Sequence, residues 1–176
     1  IDFTDSAKPV EIAFFDRGPV FEEELVMGGY WSTYWFDNRI YGTEIARGLD
    51  VLALEPSEHL SENEIAAASA TLGGELFNPQ QQFQMTWRHA PVVARAYIDQ
   101  LVRSGAIAEG RSTLLSAALD SAEAQLQTGA GDPSLATELG NMASQWDSES
   151  AAHEGVDRSR LVSLGETLEG IAERLR

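Results

Sequence analysis

The chain has 176 residues, 43% hydrophobic and 23% charged, which fits one globular domain, or one with a piece of another, and excludes a disordered chain. It has no cysteine, hence no disulfide or thiolate chemistry, and a formal charge of -16, which opposes binding to nucleic acid or anionic lipid through phosphate contacts. The charge is not a tail: residues 1–60 carry 12 acids and 4 bases, and residues 61–176 carry 16 acids and 8 bases. No apolar run approaches the roughly 18–20 residues of a membrane span, so no membrane insertion is expected.

In chain order, residues 1–9 read as a strand end and turn, and residues 10–15 (VEIAFF) as a strand. Asp16-Arg17-Gly18-Pro19 is a turn. Phe21-Glu22-Glu23-Glu24 follows as an acidic loop. Such a loop has the oxygens a hard cation such as Ca²⁺ wants, but it lacks the spacing of a known calcium loop; the other reading is a solvated loop. Residues 25–29 lead into the central stretch, residues 30–54.

That stretch predicts three short strands. Trp31, Thr33, Trp35 and, one step out of phase, Phe36 alternate with Ser32 and Tyr34, an aromatic and β-branched pattern that suits a packed strand. Asp37-Asn38 tolerates left-handed backbone angles and makes a turn. Residues 39–45 give the second strand, Ala46-Arg47-Gly48 the second turn, and residues 49–54 the third strand. The prediction is an antiparallel meander. About 25 residues of sheet are not stable alone and need a partner on the apolar face and along the edges.

Composition changes after Leu54. Residues 1–60 hold 10 of the 15 aromatics and 4 alanines, whereas residues 61–176 hold 5 aromatics and 19 alanines. Residues 55–59 are a hinge. Ser61 and Glu64 form a capping box that starts a helix over residues 62–72, stopped by Gly73-Gly74. Residues 76–89 read as an irregular connector, and Pro91 suits the first turn of a helix. One apolar face follows at Ala94, Tyr97, Ile98, Leu101 and Val102, and another at Leu115, Ala118, Leu119, Ala122 and Leu126. Asp132-Pro133 caps a third helix with a face at Leu135, Leu139, Met142, Ala143 and Trp146. Asp157 is expected to cap the last. There Leu161, Leu164, Leu168, Ile171 and Leu175 make a seam two heptads long, too short for a free coiled coil and suited to a bundle.

An approach strand, a turn, Ile40-Tyr41-Gly42, a short linker and Gly48-Leu49-Asp50-Val51 together resemble a blade of the LVIVD-repeat β-propellers of bacteria and archaea. Residues 1–10 resemble the other half of that repeat, with Pro9 kept and Ser6 where the repeat's first proline usually stands. GGYWSTYW and EIARGLDV resemble the terminal blade of such proteins. Residues 91–176 faintly resemble the helical FIMAH-type modules that end some secreted bacterial proteins. The resemblance implies an α+β chain: the end of a β-propeller over residues 1–56, a capping helix and connector over residues 57–90, and an antiparallel helical bundle over residues 91–176. It implies a secreted or cell-surface prokaryotic protein whose partners are the remaining propeller blades, with a further protein partner possible. The chain begins with Ile and shows no signal peptide, so a mature or cleaved chain, a fragment of a larger protein, is expected.

No G-x-S-x-G, H-E-x-x-H, P-loop or G-x-G-x-x-G occurs. His59, His89 and His153 are scattered, and neither a metal site nor a cofactor is expected. Among the carboxylates Asp16, Asp37, Glu44 and Asp50, Asp37 suits its turn and Asp50 belongs to the repeat pattern. Glu44 stands on a strand among apolar residues and is the candidate to bind a polar ligand. Trp31 and Trp35, with Tyr30 and Tyr34, form a sugar-stacking platform or the packing between blades. The function expected is a non-catalytic interaction module. The alternative is part of a propeller-based hydrolase or oxidoreductase with its active site mostly in other blades.

Overall fold

The computed structural model describes residues 1–71 and 85–176. The Gly73-Gly74 helix stop and most of the expected connector lie outside the described residues. The chain is α+β: a three-stranded antiparallel sheet, then five helices among the described residues.

The sheet runs β1 (Tyr30–Phe36), β2 (Arg39–Glu44), β3 (Gly48–Leu52) in that spatial order. Asp37 and Asn38 both take positive φ, 47° and 58°, as a two-residue hairpin turn requires if its twist is to match the flanking strands. Gly48, at φ 92°, closes the second turn. β2 ends one residue earlier than the apolar pattern predicts, because the Glu44 carboxylate turns back onto the N–H groups of Ala46 and Arg47.

Directly paired residues share a face. Tyr34 opposite Tyr41, Tyr41 opposite Val51, and Thr43 opposite Leu49 define the first face. Trp35 opposite Ile40, Ile40 opposite Leu52, and Gly42 opposite Asp50 define the second. A register shift between Tyr30 and Ser32 makes a bulge at Trp31 and sets Tyr30 opposite Glu44, on the second face.

Residues 10–15 do not form the expected strand. Only Val10 is paired, to Asp2, and the extended backbone after it meets no ladder partner among the described residues. Alternating apolar side chains favour extension, but a strand needs a neighbour to bond to.

The helices are α1 (Glu62–Ala68), α2 (Pro91–Arg103), α3 (Glu109–Thr128), α4 (Pro133–Ser150) and α5 (Gly155–Leu175). The Ser61–Glu64 capping box is formed in both directions. α1 stops short of the expected length: Ser69 Oγ takes the Ala66 carbonyl at 2.6 Å and draws the chain off the helix axis. Asp132 caps α4 through the N–H groups of Ser134 and Leu135. Asp157 does not cap α5. The N-cap is Glu154, and Asp157 lies in the first turn, where its negative charge meets the positive end of the helix dipole.

α4 and α5 run antiparallel. The Asp132 N–H donates to the Leu175 carbonyl at 2.7 Å, while further along Gly165 faces the Ala143 backbone. Leu161, Leu164, Leu168, Ile171 and Leu175 are all buried in one core with Leu101, Leu119 and Leu139, so the heptad seam is used within the chain. No strand packs on any described helix. Every buried hydrophobic side chain lies at or after Ala67. None of the described helices is long and apolar enough to cross a membrane.

Candidate functional site

The second face of the sheet is organised by a missing side chain. Gly42 leaves room for the Tyr30 ring, whose Cε1 would stand 2.6 Å from a β-carbon at that position. Crossing Gly42, the Tyr30 hydroxyl reaches β3 and donates to Asp50 Oδ2 at 2.5 Å. Arg17 approaches the same carboxylate with both guanidinium nitrogens, at 2.8 and 2.7 Å, a bidentate fork. Arg47 donates in turn to the Pro19 carbonyl at 2.7 Å.

Glu44 completes the arrangement. Its side chain is buried, and its two oxygens accept the N–H groups of Gly29 at 2.7 Å, of Ala46 at 2.9 Å and of Arg47. Residues 16–29 therefore form a strap across the second face, pinned by Asp50 and Arg47 at one end and by Glu44 at the other. The Tyr30 hydroxyl above all, with help from Arg17, holds the Asp50 carboxyl below the usual range against the opposing effect of burial. The Gly29 N–H, with those of Arg47 and Ala46, does the same for Glu44. Donating its proton to the Asp50 carboxylate raises the Tyr30 hydroxyl above its usual range. The strap itself, with Tyr30, Glu44 and Arg47, lines a cavity of about 660 Å³.

The three candidate ligand residues thus occupy different situations. Glu44 has its oxygens taken by its own backbone and serves as a turn staple. Trp35 is half-buried on the second face beside Ile40. Trp31 stands at the bulge and is 74% exposed. The bulge interrupts the alternation that would have set the two tryptophans in phase.

No described helix packs on the first face. Tyr34, Phe36, Leu49 and Val51 are all exposed, Leu49 by 62% and Val51 by 54%. Arg39 and Thr43 share this face, so it is apolar with a polar margin and carries no carboxylate from the strands.

Elsewhere the histidines stay apart. His59 is 3.6 Å from Glu58, the His89 ring fills the space over Gly170 on α5, and His153 lies in the turn before α5. Among the described residues no three His, Cys, Asp or Glu groups gather as a metal site needs. Asp16 accepts the Gly18 N–H at 2.7 Å and shapes its own turn. A second cavity, about 640 Å³, lies where Asp2 and Thr4 meet α1, α2 and α5, lined in part by Tyr97, Gln100 and Arg160.

The Arg17–Asp50–Tyr30 network was not foreseen from the residues, since its members lie up to 33 positions apart. The one signal available was Gly42, a glycine in the middle of a strand, which marks a close approach by another group. Comparison of the chain with protein-family models, with curated proteins and with solved structures found no match.

Proposed function

We propose that residues 1–56 are the end of a larger antiparallel β-assembly, of the propeller kind that the LVIVD-repeat resemblance implies. In this reading the chain is a non-catalytic interaction module, secreted or at a prokaryotic cell surface. The observation that carries it is the division of apolar side chains. Among the described residues, all the large hydrophobics left exposed except Trp87 and Leu114 precede Ala67, whereas every buried hydrophobic lies at or after it. The helical block has a core of its own. The sheet has none among the described residues, and exposed apolar surface of this kind marks an interaction face.

A propeller blade has four strands and packs its faces on its neighbours. Among the described residues three strands are formed, with β1 and β3 as edges. The strap of residues 16–29 lies over the second face, leaving Tyr34, Leu49 and Val51 for a neighbouring blade. With Glu44 held by three N–H groups, the open face and Trp31 are what the sheet presents to a partner.

The test is a photo-crosslinking residue, benzoylphenylalanine, at position 51 in the protein expressed in its native cells. The expected crosslinks are to β-strand peptides outside the 176 residues, absent when the same group replaces Leu114 on the helical block. Crosslinks from position 51 only to the chain's own helices would overturn the reading.

A further inference from the structure

Three helices meet at the cavity of about 640 Å³. Val93, Ala96 and Tyr97 present one face of α2 to it, and Val156, Ser159 and Arg160 keep the same spacing on α5. Small side chains at Ala67, Ala96 and Ser159 leave the room between them. Ala67, Val93 and Ala96 are buried and form a second apolar cluster, which Tyr97 joins to the main core. Trp87 lies at the edge, 41% exposed. The walls are thus packed helix faces, and Ile1 lines a different cavity. Small-molecule sites take up about 300–1,000 Å³ and combine apolar walls with a few placed polar groups.

The charged groups on the lining differ in what they already hold. Glu64, with its side chain 8% exposed, takes both guanidinium nitrogens of Arg103 at 2.9 and 2.6 Å and the Ser61 N–H at 2.7 Å. Asp2 accepts the Thr4 N–H at 2.8 Å, and Thr4 holds its carboxyl below the usual range. Arg160 is 20% exposed, and its ion pair with Asp157 is 3.7 Å long, beyond hydrogen-bond length. Among the described residues nothing accepts a hydrogen bond from its guanidinium. Five N–H donors drawn largely out of water without an acceptor are costly, and a carboxylate takes two of them at once. We propose that this cavity binds a small organic acid, its carboxylate on Arg160 and an aromatic or branched apolar body against Val93, Ala96 and Tyr97. The site stands on the helical block and does not depend on the propeller reading of the sheet.

The probe is phenylpropionate, titrated into the isotopically labelled full chain and followed through its amide resonances. Shifts are expected at Ala96, Tyr97, Ser159 and Arg160, with a Kd of about 0.1–1 mM, as suits so small a ligand. Phenylpropionamide has the same shape without the charge and should bind about tenfold more weakly, a comparison that leaves the protein unaltered. Arg160→Gln should bring the acid to the level of the amide and leave the amide where it was. Equal affinities of acid and amide for the unaltered chain would overturn the proposal, because Arg160 would then read no carboxylate. Acetate binding as tightly as phenylpropionate would overturn it too, since the apolar walls would take no part. So would shifts confined to other parts of the chain, or none at about 10 mM probe.

Discussion

Tyr30 depends on Gly42: the ring of the one occupies the space that a β-carbon on the other would fill, at 2.6 Å. The φ of Gly42 is not positive, so the constraint is room and not backbone conformation. The consequence is long-range, because the ring that crosses Gly42 is the one that delivers a hydroxyl to Asp50 and sets the carboxylate for Arg17.

Gly42→Ala should therefore expel Tyr30 from the second face at a cost of about 1–3 kcal/mol to the sheet, as overpacking does. Loss of the Tyr30–Asp50 contact would be read by NMR as release of the strap amides. Gly110→Ala is the control, since its added β-carbon meets open space on α3 and should be neutral or slightly stabilising. Unchanged Tyr30 ring resonances in Gly42→Ala would contradict this geometry.

The helical block gives a separate prediction. Leu168 is fully buried in the α5 seam, and Leu168→Ala should cost about 2–5 kcal/mol in chemical denaturation. Leu114→Ala, at a 70% exposed position on α3, should stay within about 0.5 kcal/mol. Equal effects of the two would mean that the seam is not the core.

Acid should release the strap. Asp50 and Glu44 have carboxyls held below their ordinary values of 3.8 and 4.5. A depressed folded pKa contributes stability that is complete above the ordinary value and lost as pH falls through the folded one. The Gly29 amide, bonded to Glu44, should hold its chemical shift from neutral pH down to about 4.5 and titrate only below it. A midpoint at or above 4.5 would show that Glu44 does not hold the strap.

The helices were legible because each carries its evidence within a few residues. The Ser61–Glu64 box, Asp132-Pro133 and the 3-4 spacing of Leu161 to Leu175 are local signals, and the structure uses them as written. The sheet was legible for the same reason, down to the Asp37-Asn38 turn. Asp157 misled because an acid in the first turn and an acid at the N-cap satisfy the same dipole, and the backbone before α5 decides between them. Residues 10–15 misled because propensity specifies extension but not the neighbour. The sequence does not reveal the partners of Glu44, because they are backbone N–H groups and every residue except proline has one of those.

Amide hydrogen exchange of the whole chain, resolved residue by residue, tests the central claim most directly. On the proposed reading, residues 30–52 are a sheet without a core among the described residues, completed from outside, next to a helical block that is stable on its own. Amides of β1 and β3 should then exchange orders of magnitude faster than those of α5 around Leu164 and Leu168, which should exchange only through global unfolding. Protection of β1 and β3 equal to that of α5 would mean that the sheet is stable unaided, and the need for a partner would be gone.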